Sequence, residues 1–140
     1  MMATSSEKDN SALFNWLDKV WRNILLQPDD ELAVSSFESY IAKDVRVKIN
    51  HDSISREAFF AYVTSTRATH TMTQLSKKEI KVWEAPGGGG CVVDEAVVVF
   101  KNKETGESYT GTVVMVSDVR AGEDGKLTIV ETTEVVTRSS

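Results

Sequence analysis

Phe37-Glu38-Ser39-Tyr40-Ile41-Ala42-Lys43-Asp44-Val45-Arg46-Val47-Lys48-Ile49-Asn50 is the stretch on which the fold turns. Up to Ile41 its apolar residues continue a stripe with Leu32 and Ala33 at helical spacing. From Asp44 the period changes to two: Val45, Val47 and Ile49 alternate with Arg46, Lys48 and Asn50. A helix period giving way directly to a strand period predicts a helix that runs into a half-buried strand.

Upstream, Leu13, Trp16, Leu17, Val20, Trp21, Ile24 and Leu25 form one apolar stripe with Asp18, Lys19, Arg22 and Asn23 between them. This predicts an amphipathic helix that Pro28 stops. Asp29-Asp30-Glu31 then starts the second helix, since acids suit the positive end of its dipole. Residues 1–10 are polar and are expected to be a flexible lead-in to one domain over 11–140.

Downstream, Asn50-His51-Asp52-Ser53 is turn chemistry, and Ser55-Arg56-Glu57 opens a third helix. Its apolar face is Ala58, Phe59, Tyr62 and Val63, and it is expected to end before Thr69. Strands are predicted over 72–84, 91–101, 108–120 and 126–137, separated by Pro86 with the Gly87 to Gly90 run, by Lys103-Glu104-Thr105-Gly106 and by Gly122-Glu123-Asp124-Gly125. Links this short between neighbouring strands require an antiparallel meander. The fold class is therefore α+β, with three N-terminal helices layered on a sheet.

At 140 residues, with 41% hydrophobic and 26% charged, the chain has an ordinary globular composition. Its net charge of −5 is dispersed, and no basic stripe supports nucleic-acid binding. The lone Cys91 excludes a disulfide scaffold and is expected to be buried packing. No apolar run approaches the ~20 residues of a membrane helix, and the N-terminus has no secretory signal pattern, so a cytoplasmic protein is expected. Gly87 to Gly90 lacks the Lys-Ser/Thr of a phosphate loop, and two His without a Cys cluster argue against a metal site.

Four motifs together resemble the nuclear transport factor 2-like superfamily, in particular its SnoaL-like polyketide cyclase and isomerase branch. They are Phe37 to Val45, Ser55-Arg56-Glu57-Ala58-Phe59, His70-Thr71-Met72-Thr73-Gln74 and Asp124-Gly125-Lys126-Leu127, and their order spans the chain from about residue 10. The resemblance implies a cone-shaped, curved antiparallel sheet, closed by the helices around a pocket. It also implies a cofactor-independent isomerase, cyclase or dehydratase acting on a natural-product intermediate. The alternative is a non-catalytic small-molecule-binding or dimerisation module, because one fold hosts many functions.

Such pockets work by proton transfer: a carboxyl or imidazole takes a proton, and a tyrosine or protonated acid stabilises the resulting oxyanion. The last strand sorts into Leu127, Ile129, Glu131, Thr133 and Val135 on one face and Thr128, Val130, Thr132, Glu134 and Val136 on the other. Glu131, mid-strand on a mostly apolar face, is either an exposed strand residue or a pocket acid, and we assign it as the acid or base. Tyr109, sharing parity with Gly111, Val113 and Met115, would orient or stabilise charge, and His70, matched by the resemblance, would shuttle protons. Tyr40, Trp16, Met115 and Tyr62 are the substrate-binding candidates, although core packing is the default reading of Tyr40 and Trp16. His51 reads as a loop residue and Arg46 as outward-facing; of Asp94 and Glu95, whichever points inward is a reserve acid. Ile49 and Asn50 stand where ketosteroid isomerases carry their aspartate base, so that arrangement is not expected. Neither cofactor nor metal is called for, and valines on both parities of 91–101 suggest a homodimer through the outer sheet face.

Overall fold

The computed structural model describes residues 10–139, so the lead-in expected over 1–10 lies almost entirely outside the described residues. Helix α1 spans Ala12–Trp21 and continues as a wider π turn, Arg22–Leu26; α2 spans Asp30–Tyr40 and α3 spans Arg56–Thr69. The strands are β1 Ile41–Ile49, β2 Asp52–Ile54, β3 His70–Glu84, β4 Gly89–Asn102, β5 Ser108–Ala121 and β6 Leu127–Ser139. All six join one sheet in the order β2-β1-β6-β5-β4-β3.

Each helix starts where its capping chemistry predicts. Ser11 Oγ accepts from the Phe14 N–H at 3.0 Å, Asp29 Oδ1 from Glu31 and Leu32, and Ser55 Oγ from Ala58 at 3.0 Å. Each such cap is worth ~1 kcal/mol. Helix α2 passes into β1 with no loop, the switch that the period change at Asp44 announces, although the strand begins at Ile41.

The β3–β4–β5–β6 part is the expected antiparallel meander. The sheet is mixed rather than purely antiparallel, because β1 pairs with β6 in parallel. The long excursion through α3 and the meander brings β6 back beside β1, and no short-range signal in β1 identifies that partner. The predicted turn at Asn50 is tighter than expected: Asn50 takes a left-handed φ of 55°, and β2 folds straight back on β1.

One face of the sheet packs on the helices. Leu17 and Ile24 from α1 and the π turn, Phe37 from α2, Val92, Val119 and Ile129 from the sheet are all essentially inaccessible. Burying each contributes roughly 1.5–3 kcal/mol. The buried Arg67 of α3 ties the helices together, donating to Asp30 Oδ1 at 2.8 and 3.0 Å and to the Ile24 carbonyl at 3.3 Å. The other face carries no helix. Cys91 lies there, exposed, which corrects the expectation of a buried cysteine: β4 alternates, and position 91 falls on the uncovered face while Val92 faces the core. The glycine run is also tighter than a free hairpin, since a Cβ at Gly90 (φ 145°) would overlap the Trp83 carbonyl.

Candidate functional site

A cavity of about 120 Å³ opens between the helix-covered face of the sheet and the α1–π-turn–α3 layer. The π turn brings both Leu25 and Leu26 to its wall. Phe59 and Val63 of α3 supply the roof, and Met72, Phe100, Val113 and Val136 make the floor apolar. Gly111 leaves room for Phe100, whose Cε1 would lie 3.1 Å from a Cβ added there.

Strand register arranges the polar groups in rows across the floor. Asp94 on β4, Met115 on β5 and Glu134 on β6 are directly opposite one another, so two carboxyls flank a methionine, with backbones about 10 Å apart. Asp94 is 1% exposed and Glu134 is 9% exposed. Asp94 Oδ2 makes no hydrogen bond and lies 3.8 Å from Lys77 Nζ. That ammonium, on β3, is 3.9 Å from Asp18 Oδ1 on α1, and Asp18 Oδ2 accepts from Arg22 Nε at 3.0 Å.

Burial raises both cavity carboxyls, because water no longer stabilises their charged forms. Asp94 is pushed up to about 6; Lys77 pulls it back and Asp18 adds to the rise. Lys77 offsets the burial only partly, since it sits beyond hydrogen-bond reach and is shared with Asp18. Glu134 is pushed up to about 7, first by burial and then by Asp94, with smaller opposing effects from Lys77 and the Thr132 hydroxyl. The Tyr62 phenol at the mouth is also raised, by burial with Tyr109 and Glu134 adding to it. Two carboxyls near neutrality in an apolar cavity are equipped to give and take protons.

The residues expected from sequence divide between three places. Tyr109, Met115 and Tyr62 line the cavity. Tyr109 stacks on Phe100 at 4.9 Å, with the Arg138 guanidinium 4.5 Å over its ring. His70 stands just outside, edge-on to Tyr109 at 5.9 Å, and its Nδ1 is 2.8 Å from Thr69 Oγ1. Trp16 and Tyr40 form a T-shaped pair at 5.8 Å against the main core, away from the cavity wall, as packing residues would.

Glu131 is on the opposite face of the sheet, so the pocket acid assigned to it is corrected. Its carboxylate accepts from Arg46 Nη2 at 2.8 Å, and Arg46 points outward as expected. The cause is a bulge. Asp118 pairs with Glu131 but Val119 pairs with Ile129, which leaves Val130 unpaired. The extra residue flips the alternation: Ile129 faces the core before it, and Thr132, Glu134 and Val136 face inward after it. Asp94 is the inward member of its pair. Glu134 was visible only as a member of the other parity set, and the Asp18–Lys77–Asp94 chain joins three elements with no shared sequence signal. Among the described residues, no group of three or more His, Cys, Asp and Glu is placed to hold a metal.

No protein-family model and no curated protein matches the chain. Solved structures do. A conserved protein from Planctomyces limnophilus matches with a TM-score of 0.75 at 11% identity, over 88% of this chain and 94% of that one. A ketosteroid isomerase-like protein from Erwinia carotovora atroseptica matches with a TM-score of 0.65 at 11% identity, over 94% and 99%. ActVI-ORFA from Streptomyces coelicolor matches with a TM-score of 0.62 at 10% identity, over 92% and 98%. The chain has the NTF2-like fold, three helices against a curved six-stranded sheet. Among the described residues no helix is long and apolar enough to cross a membrane.

Proposed function

We propose that this protein is a cofactor-independent acid–base isomerase, cyclase or dehydratase acting on a natural-product intermediate in the cytoplasm. The observation that carries it is the pair Asp94 and Glu134, buried in one apolar cavity with their proton affinities raised to about 6 and about 7. Isomerase-like and ActVI-ORFA neighbours share the fold, which fits this chemistry without specifying it.

The position of Lys77 divides the roles. Its ammonium, 3.8 Å from Asp94, favours the ionised form there, so Asp94 serves as the base. Glu134, raised by burial and by Asp94 and without a salt bridge among the described residues, serves as the acid. Asp94 removes a proton from the carbon next to a carbonyl or imine while Glu134 delivers one to the oxygen or nitrogen. Asp94 then returns its proton to a second carbon and Glu134 recovers its own, so the substrate is rearranged with no net change in composition. Tyr109 orients the substrate from the mouth, and His70, just outside it, exchanges protons there.

The test is carbon-bound hydrogen exchange in D₂O, followed by NMR, across a panel of small ketones and imines. Exchange accelerated by the wild type but not by Asp94→Asn or Glu134→Gln is the expected result. Exchange that survives both substitutions would overturn the assignment.

The same reading includes a homodimer through the uncovered sheet face. Val93, Val97, Val114, Val116 and Val135 stand on it, with Val116 and Val135 45% and 59% exposed. Sedimentation should give a dimer that Val116→Lys dissociates, and a wild-type monomer at micromolar concentration would remove the dimer. A binding module without chemistry would keep the cavity and the dimer yet show no exchange.

A further inference from the structure

We propose that the ligand of this cavity carries a basic nitrogen, which forms an ion pair with Glu134 at the cavity floor and makes the site selective for amines or imines over neutral and acidic molecules. The inference rests on the cavity being the ligand site, and it narrows the substrate class named above.

Charge composition is the first support. The charged groups at the floor are Lys77 from β3, Asp94 from β4 and Glu134 from β6: two carboxyls to one ammonium. Lys77 is committed to Asp94 at 3.8 Å and to Asp18 behind it at 3.9 Å, Asp18 also pairs with Arg22, and among the described residues no salt bridge reaches Glu134. A cation is what this interior lacks, and an anion would add to its excess of acid. The second support is an orphaned atom. Asp94 Oδ2, 3.8 Å from Lys77 Nζ, is buried in the wall of the cavity with no hydrogen-bond partner among the described residues, so a donor entering the cavity meets an acceptor already stripped of water.

The third support is how the remaining polar groups are placed. Tyr62 and Tyr109 are at the mouth, and each raised or stacked phenol offers a neutral rim. Among the described residues, Arg138 is the one other cation lining the cavity. It is solvent-exposed, lies over the Tyr109 ring and is four residues along β6 from Glu134, about 13 Å. Its charge is screened there, while that of a ligand nitrogen at the floor is not. A neutral amine or imine entering beside protonated Glu134 takes the proton, and the product is a carboxylate–iminium or carboxylate–ammonium pair in an apolar surround. No external acid is needed.

Benzylamine, benzyl alcohol and benzoate test this, because they share one ring that suits a cavity of about 120 Å³ and differ in charge. Each is titrated into the full-length protein at pH 7.5, and binding is read from NMR shifts of the Met72, Met115 and Val136 signals. Benzylamine is expected to bind about tenfold or more tighter than benzyl alcohol, with benzoate weakest. Glu134→Gln should remove that preference by bringing benzylamine down to the affinity of benzyl alcohol, and Asp94→Asn should weaken it in the same direction. Alcohol or benzoate binding as tightly as the amine, or a preference that survives both substitutions, would overturn the inference. If none of the three shifts those signals, the cavity is not a ligand site and the proposed function falls with it. Amine binding without hydrogen exchange would leave the inference standing and remove only the catalysis.

Discussion

Glu131 and Glu134 are three residues apart on the same strand and have opposite lives. Glu131 faces outward, its side chain 40% exposed, and its charge is satisfied by Arg46 at 2.8 Å. Glu134 faces the cavity, 9% exposed, with no cation in salt-bridge range among the described residues and its proton held up to about 7. Identical chemistry becomes a surface ion pair on one face and a proton-transfer group on the other. Solvent access makes most of the difference, with Asp94 adding to it, and the unpaired residue Val130 decides which glutamate receives which face.

Removing that residue gives the largest expected effect. Deleting Val130 forces either Ile129 or the Thr132–Glu134 pair onto the wrong face, so the native fold should be lost, seen as collapse of near-UV circular dichroism. A deletion variant with native-like melting would show that the bulge does not set the facing. Next come the acids themselves. Asp94→Asn and Glu134→Gln should each lower the hydrogen-exchange rate by roughly 10²–10⁴-fold, and Glu131→Gln should leave it unchanged. Equal losses at 131 and 134 would erase the contrast.

Stability should separate the two glutamates as well. The folded protein holds the Glu134 proton up to about 7 against an ordinary 4.5, so it binds more protons than the unfolded chain between those values. The stability that this group contributes is therefore greatest below about 4.5 and is lost as pH rises through about 7, on the order of 3 kcal/mol in all. Asp94, raised from 3.8 to about 6, acts in the same direction over its own window. Denaturant midpoints of Glu134→Gln should show a flatter pH dependence, and an unaltered slope would contradict the burial argument. The smallest effect is expected outside: Glu131→Gln should barely move the melting midpoint, and any change should vanish in high salt.

The fold was legible because it depends on local periods and caps. The stripe from Leu13 to Leu25, the helix starts at Asp29 and Ser55, and the alternation from Val45 to Ile49 each report on residues near them in the chain. The cavity was partly legible: Tyr109, Met115 and Tyr62 fall where strand and helix parity put them. The wrong acid was chosen because parity was carried through a bulge that is defined by the partner strand, where Val119 meets Ile129. Cys91 went astray for a related reason, since the apolar valines on both sides of β4 do not say which face the helices cover.

The sequence by itself determined the order of the three helices and of five of the six strands, the helix starts, the antiparallel meander and the α+β layering, since each is written in spacings of two, three or four residues. Only the tertiary structure decided the parallel β1–β6 pairing, the inward turn of Glu134 and the meeting of Asp18, Lys77 and Asp94 from three separate elements. Those depend on contacts between residues far apart in the chain, and on which groups lose their water when the layers close.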